Sequence, residues 1–339
     1  MLAEVVNFPG ARIPKTTLGD LAQRFANVEA LENPDVDVPL NSLKAEDSGT
    51  IVVPGLGEHV LTDWARDQLG RVVGLSWGRF FAGAGPAEQA DDLNRRFRRG
   101  HGVIRLRTTK AKPEGTLGDG TIRAIVSSGF STIKDTAITG LLADALRTVE
   151  PDARVLRSEI TDRSTSFVVK IGEPYKIGGP GNVGEVWGSL TVRNSGVGYA
   201  RLIVNLSLLR ISCLNGLTAP VVMPAIVRTR HRWLDEGQVR ESILRGLDGV
   251  GERLHRSTRV LADSAQRGVD DVEAEVRRVL QNAKLPLRLA RPILSAYGRE
   301  PHASQFGVSQ AITLHAQAES PELRLQLEDV AGRYLAAGG

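Results

Sequence analysis

The chain has 339 residues, 41% hydrophobic and 24% charged, which is the balance of a globular protein and excludes wholesale disorder. A single cysteine, Cys213, excludes a disulfide framework and a cysteine zinc site, and no apolar run reaches the roughly 18 residues that span a bilayer. Lys and Arg total 43 against 39 Asp and Glu, so with a net charge of only +4 any polyanion partner must be read from clustering.

Taken in chain order, MLAEVVNFPG lacks the basic start and apolar run of a signal peptide, and the expected location is cytoplasmic. Residues 1–54 read as a weakly structured lead around one helix. In that helix Leu18, Leu21, Phe25, Val28 and Leu31 fall near helical spacing before Asn33, Pro34 and Pro39 break it. Residues 60–70 predict a second helix with Thr62 as N-cap and Gly70 as C-cap. Residues 85–97 predict a third, acidic early and basic late as the helix dipole favours.

From Gly100 the pattern turns to strands. HGVIRLRTT and TIRAIVSS alternate as strands on either side of a Gly-rich loop, and Asp135 to Val149 follows as a helix. Residues 153–162 and 164–172 form one expected hairpin. Residues 185–196 and 199–213 form another, turned at Asn194-Ser195-Gly196-Val197-Gly198. After Pro224 the chain turns helical. One long helix is expected from Trp233 to Gly268, then helices over 269–283, 286–297, 304–318 and 321–336. The fold class is α+β: a central, mostly antiparallel sheet with hairpins, packed by helices and followed by a helical C-terminal region. The expected segments are 1–54, 55–232 and 233–339.

The strongest anomaly is the stretch 93–113. It holds Arg95, Arg96, Arg98, Arg99, Arg105, Arg107, Lys110 and Lys112 without one Asp or Glu. Such a run repels itself unless a polyanion lies beside it or acids arrive from elsewhere in the fold. Alternation places Arg105 and Arg107 on one strand face, where they could track successive phosphates. A second cluster is Arg228, Arg230, His231 and Arg232 beside Trp233. Its arginines suit phosphate, while Trp233 reads better as a core anchor. On this reading Glu at Arg105 and Arg107 should abolish nucleic-acid binding and leave the fold intact.

Other chemistry is poorly supported. GTLGDGT at 115–121 and GGPGNVGE at 178–185 lack both the phosphate-loop spacing and a following helix, so no nucleotide cofactor is expected. The six histidines are scattered, with no close pair and no metal-ligand spacing. No G-x-S-x-G elbow occurs, and Cys213 sits in an apolar strand as a structural thiol would. An enzyme is the least favoured class.

Several segments carry a resemblance. RAIVSSGFSTIKDTAITGLL (123–142), NSGVGYARLIVNLSLLRISCLNGL (194–217), IVRTRHR (226–232) and QFGVSQAITLHAQ (305–317) stand in a recognisable order. Together they resemble the phage/plasmid-like domain-of-unknown-function family 932 over roughly residues 55–335. Phe130 stands where that family commonly has Tyr, and Ser-Gln-Ala-Ile-Thr replaces its Asn-Ala-Ile-Thr. The family implies no catalytic mechanism. More distantly, the architecture is similar to phage single-strand annealing recombination proteins, which form rings or filaments and hold single-stranded DNA in a basic groove. That similarity implies a single-stranded DNA-binding, strand-annealing homo-oligomer without cofactor or membrane. The competing reading is a phage or plasmid structural or interaction protein with no nucleic-acid partner.

Overall fold

The computed structural model describes residues 4–6, 16–76, 83–110, 119–147, 150–177, 183–210, 225–231 and 235–337. Among them are two sheets of six strands each and ten α-helices, so the fold is α+β. The strand-rich middle expected as one sheet divides in two.

The first sheet runs β1 (Glu4–Val6), β8 (Arg154–Ile160), β9 (Thr165–Ile177), β10 (Gly184–Asn194), β11 (Leu202–Leu209), β12 (Val227–Thr229), antiparallel throughout. Alternation sends Phe167, Val169, Ile171, Leu190, Val192, Val204, Leu206 and Leu208 to one face. Four helices cover that face: α1 (Leu18–Glu29), α4 (Asp135–Leu146), α5 (Glu236–Leu247) and α6 (Val250–Gln266). Phe25 of α1 meets Phe167 with ring centroids 5.9 Å apart.

The second sheet runs β2 (Val36–Pro39), β6 (Val103–Thr109), β7 (Gly120–Ser127), β5 (Gly57–Leu61), β4 (Ile51–Val53), β3 (Lys44–Ala45). Only β5 and β7 pair in parallel. Their link carries α2 (Asp63–Val72) and α3 (Pro86–Arg99), as a parallel pair needs a crossover. Leu69, Leu93 and Phe97 of these helices pack on Leu106, Ile122 and Ile125. The expected lead therefore does not stand apart: residues 36–53 supply three strands of this sheet.

A third core joins α7 (Val272–Asn282), α8 (Ala290–Tyr297), α9 (Gln305–Ala316) and α10 (Pro321–Ala337) through Val276, Leu280, Ile293, Val308, Ile312 and Leu327. Two predicted helix limits move. Thr62 caps α2 by accepting from the Ala65 N–H at 3.1 Å, but the helix runs through Gly70 to Val72. The long helix expected from Trp233 breaks between α5 and α6 at Gly249, whose φ of 65° lies in the left-handed region that favours glycine.

Candidate functional site

The two sheets meet at the turn Asn194–Gly198 between β10 and β11. Trp64 and Gln68 of α2 both donate to the Val197 carbonyl, at 2.9 and 3.0 Å. The Gln68 side-chain oxygen accepts from the Ile125 N–H of β7 at 2.9 Å. Asn194 donates to the Ile133 carbonyl at 3.0 Å and to the Asp135 carboxylate at 2.7 Å, and Thr165 donates to the other oxygen of Asp135 at 2.7 Å. Burial raises the Asp135 pKa above the ordinary carboxylate value, against the pull of those two hydrogen bonds.

A cavity of about 40 Å³ lies in this seam, with Glu29, Glu32, Arg107, Arg123, Asp135 and Asn194 among its lining residues. It has room for a few water molecules. The seam is therefore a polar joint.

Arg105 and Arg107 belong to that joint. Arg105 grips the Asp37 carboxylate with two nitrogens, at 2.7 and 2.9 Å, and donates to the Phe130 carbonyl at 3.0 Å. The hydrogen bond from Arg105 holds the Asp37 carboxyl below its usual pKa. Arg107 bonds Asp35 at 3.0 Å, lies 3.6 Å from Glu32, and donates to the Gly196 carbonyl. Arg123 pairs with Glu32 as well. The carboxylates come from the ENPDVDVP segment, which reads in sequence as a helix break. As β2 it lies against β6 with Asp37 directly opposite Arg105. Glu at Arg105 and Arg107 would face Asp37, Asp35 and Glu32, so those substitutions would disturb the fold.

The remaining basic residues divide into two patches. On α3, Arg95 and Arg96 share Asp92 at 3.3 and 2.8 Å, and Arg96 also reaches the Val73 carbonyl. Arg98 and Arg99 end that helix, exposed and outside any ion pair among the described residues, as is Lys110 at the far end of β6. At the free edge of the first sheet, Arg228 and Arg230 alternate with Val227 and Thr229 and are both exposed. Register carries Arg201 opposite Arg230, since Leu202 faces Thr229. None of these three has an ion-pair partner among the described residues. His231 turns inward, its ring centroid 5.6 Å from that of Phe130, and its carbonyl accepts the Ser131 N–H at 3.2 Å. Burial pushes its pKa down to about 4. Lys112, Arg232, Trp233 and Cys213 lie outside the described residues.

Three arginines that the sequence does not flag also converge here: Arg71 of α2, Arg163 in the β8–β9 turn and Arg193 near the end of β10. The Trp64 and Tyr199 rings stand edge to face at 5.0 Å. The Arg71 guanidinium lies 5.1 Å from the Trp64 centroid. That of Arg163 lies 6.0 Å from Trp64 and 5.6 Å from Tyr199, and that of Arg193 lies 5.7 Å from Tyr199. Because they stand 92 and 30 positions apart in sequence, no local signal could have grouped them.

Among the described residues no group of His, Cys, Asp and Glu is placed to hold a metal ion, and no helix is long and apolar enough to cross a membrane. Comparison of the chain with protein-family profiles, curated proteins and solved structures returns no match.

Proposed function

We propose that the protein binds single-stranded nucleic acid by its phosphate backbone and promotes strand annealing, as a homo-oligomer in phage or plasmid recombination. The observation that carries this is the set of exposed cations Arg98, Arg99, Lys110, Arg201, Arg228 and Arg230, which form no ion pair among the described residues, whereas the internal carboxylates take Arg105 and Arg107. Annealing needs a grip on the backbone with base edges left free. No Phe, Tyr or Trp among the described residues is exposed. Arg105 and Arg107 are held by Asp37 and Asp35 instead.

The test is the anisotropy of a labelled oligothymidine across a salt series, with matched duplex as control. Six phosphate contacts predict a log–log salt slope of about −4, and Arg228→Ala with Arg230→Ala should make it shallower by about 1.4. Binding that ignores salt, or the pair of substitutions, overturns the reading. Internal neutralisation of Arg105 and Arg107 favours a second reading, an assembly protein without nucleic acid. It predicts no oligonucleotide binding even at low salt.

A further inference from the structure

We propose that Arg71, Arg163 and Arg193, gathered around the Trp64–Tyr199 ring pair, form a binding site for a phosphate group. The three cations come from a helix of one sheet unit and from two neighbouring segments of the other, yet all lie against one pair of rings. None forms an ion pair among the described residues. The ring faces attract guanidinium groups but carry no net charge, so they steady the three cations without neutralising them. Arg193 is only partly exposed, and its Nε is buried with no hydrogen-bond partner. The nearby acids do not complete the site. Glu322 at the start of α10 influences Arg193 but makes no ion pair with it. Asp67, one turn before Arg71, and Asp162, beside Arg163, are exposed and also form none.

The site is held by the inter-strand turn. The Ser195 hydroxyl donates to the Arg163 carbonyl at 2.6 Å and accepts the Tyr199 N–H at 2.9 Å, so one side chain fixes both the arginine and the ring beneath it. Trp64 is fixed to the same turn through Val197. Pre-set planar forks suit a group that presents three or four oxygens in a tetrahedron. A carboxylate is satisfied by one fork; a phosphate can engage several.

The phosphate could belong to a nucleic-acid strand or to a free small molecule. The site goes beyond the backbone contacts proposed above, since it shares no residue with them. The test uses the full chain and two probes, orthophosphate and oligothymidine. Orthophosphate is titrated at constant ionic strength against chloride while thermal unfolding is followed. The wild type should gain melting temperature with phosphate but not with chloride. Arg163→Gln and Arg193→Gln should each weaken the phosphate response by about tenfold or more, and Arg71→Gln, at an exposed helix position, should weaken it without folding cost. Arg163→Lys keeps the charge but loses the fork and should restore only part of the response. A phosphate response equal in wild type and Arg71→Gln, or absent in the wild type, overturns the proposal. So does a lowered melting temperature in the variants with the phosphate shift unchanged, which would mean the arginines only stack. Arg228→Ala with Arg230→Ala keeps the orthophosphate response, so failure of strand binding is distinguishable from failure of this site. A strand source is assigned if Arg163→Gln also weakens oligothymidine binding; a free-phosphate source is assigned if it does not.

Discussion

His231 shows how much one side chain's setting departs from what its neighbours in sequence suggest. It sits in an Arg-Thr-Arg-His run, where a histidine reads as one more cation. Strand alternation instead leaves Arg228 and Arg230 exposed and buries His231 against Phe130. Burial opposes the charged ring and sets its pKa at about 4, below the value near 6.5 of a free imidazole. The unfolded chain therefore takes up this proton first as pH falls. The contribution of His231 to stability is whole above pH 6.5 and is lost between pH 6.5 and 4, by about 3 kcal/mol in all. His231→Gln should flatten that part of the profile. Urea unfolding of both proteins at pH 7, 5.5 and 4.5 checks it: the gap between them should shift in favour of the variant as pH falls. The comparison isolates His231 from Asp135, whose raised pKa acts in the opposite sense. The same scale explains Arg105 and Arg107. Their clustering was plain in the sequence. Their neutralisation was not, because Asp35 and Asp37 lie some seventy residues earlier and reach them only by strand pairing.

At the scale of elements, local chemistry was readable and partnership was not. The β8–β9 and β10–β11 hairpins follow from alternation, the second also from its Gly-containing turn, and Thr62 announces α2 as an N-cap should. The break at Gly249 was hidden because the apolar spacing of Val239, Ile243, Leu247, Val250 and Leu254 continues across it. The turn at Asn194–Gly198 was legible as a turn but not as the joint between two sheets. Gly198 there holds φ +75°, and a Cβ would come within 3.2 Å of the Phe130 ring. Gly198→Ala should therefore cost about 1–2 kcal/mol. Gly140, inside α4 with open space around it, is the matched control. Gly140→Ala should gain about 0.5–1 kcal/mol from the backbone entropy alone. Opposite shifts of the urea midpoint in the two variants would confirm that the turn, and not glycine content, is what the joint requires.

At the scale of the molecule, three large cores form among the described residues, and their limits are not those the composition suggests. Residues 36–127 build the second sheet's core, while α1 from the N-terminal segment and α5 and α6 from the helical end both serve the first sheet. An apolar stripe shows that a helix is covered, not what covers it. The helical core of α7 to α10 is tied to the first sheet by Phe306 and Leu335, which enter that sheet's apolar core, and by charge. Arg157 and Glu159 stand on one face of β8. Arg157 makes two bonds to Glu328 at 2.9 and 3.0 Å, Glu159 pairs with Arg324, and Gln317 donates to Glu328 at 3.2 Å. Glu159, Arg324 and Glu328 are all buried. A buried pair gains little over apolar packing, but a buried charge left alone is costly. Arg324→Leu should thus destabilise by about 3–5 kcal/mol, and adding Glu159→Leu should recover most of that loss. The location of the effect follows from the architecture. The loss removes contacts between two cores and leaves each core's own packing in place. Hydrogen exchange should then show α9 and α10 of Arg324→Leu losing protection while β9 and β10 keep theirs, and the double variant should restore protection to both helices. Uniform loss across all three cores would mean that the ionic joint serves the fold as a single cooperative unit.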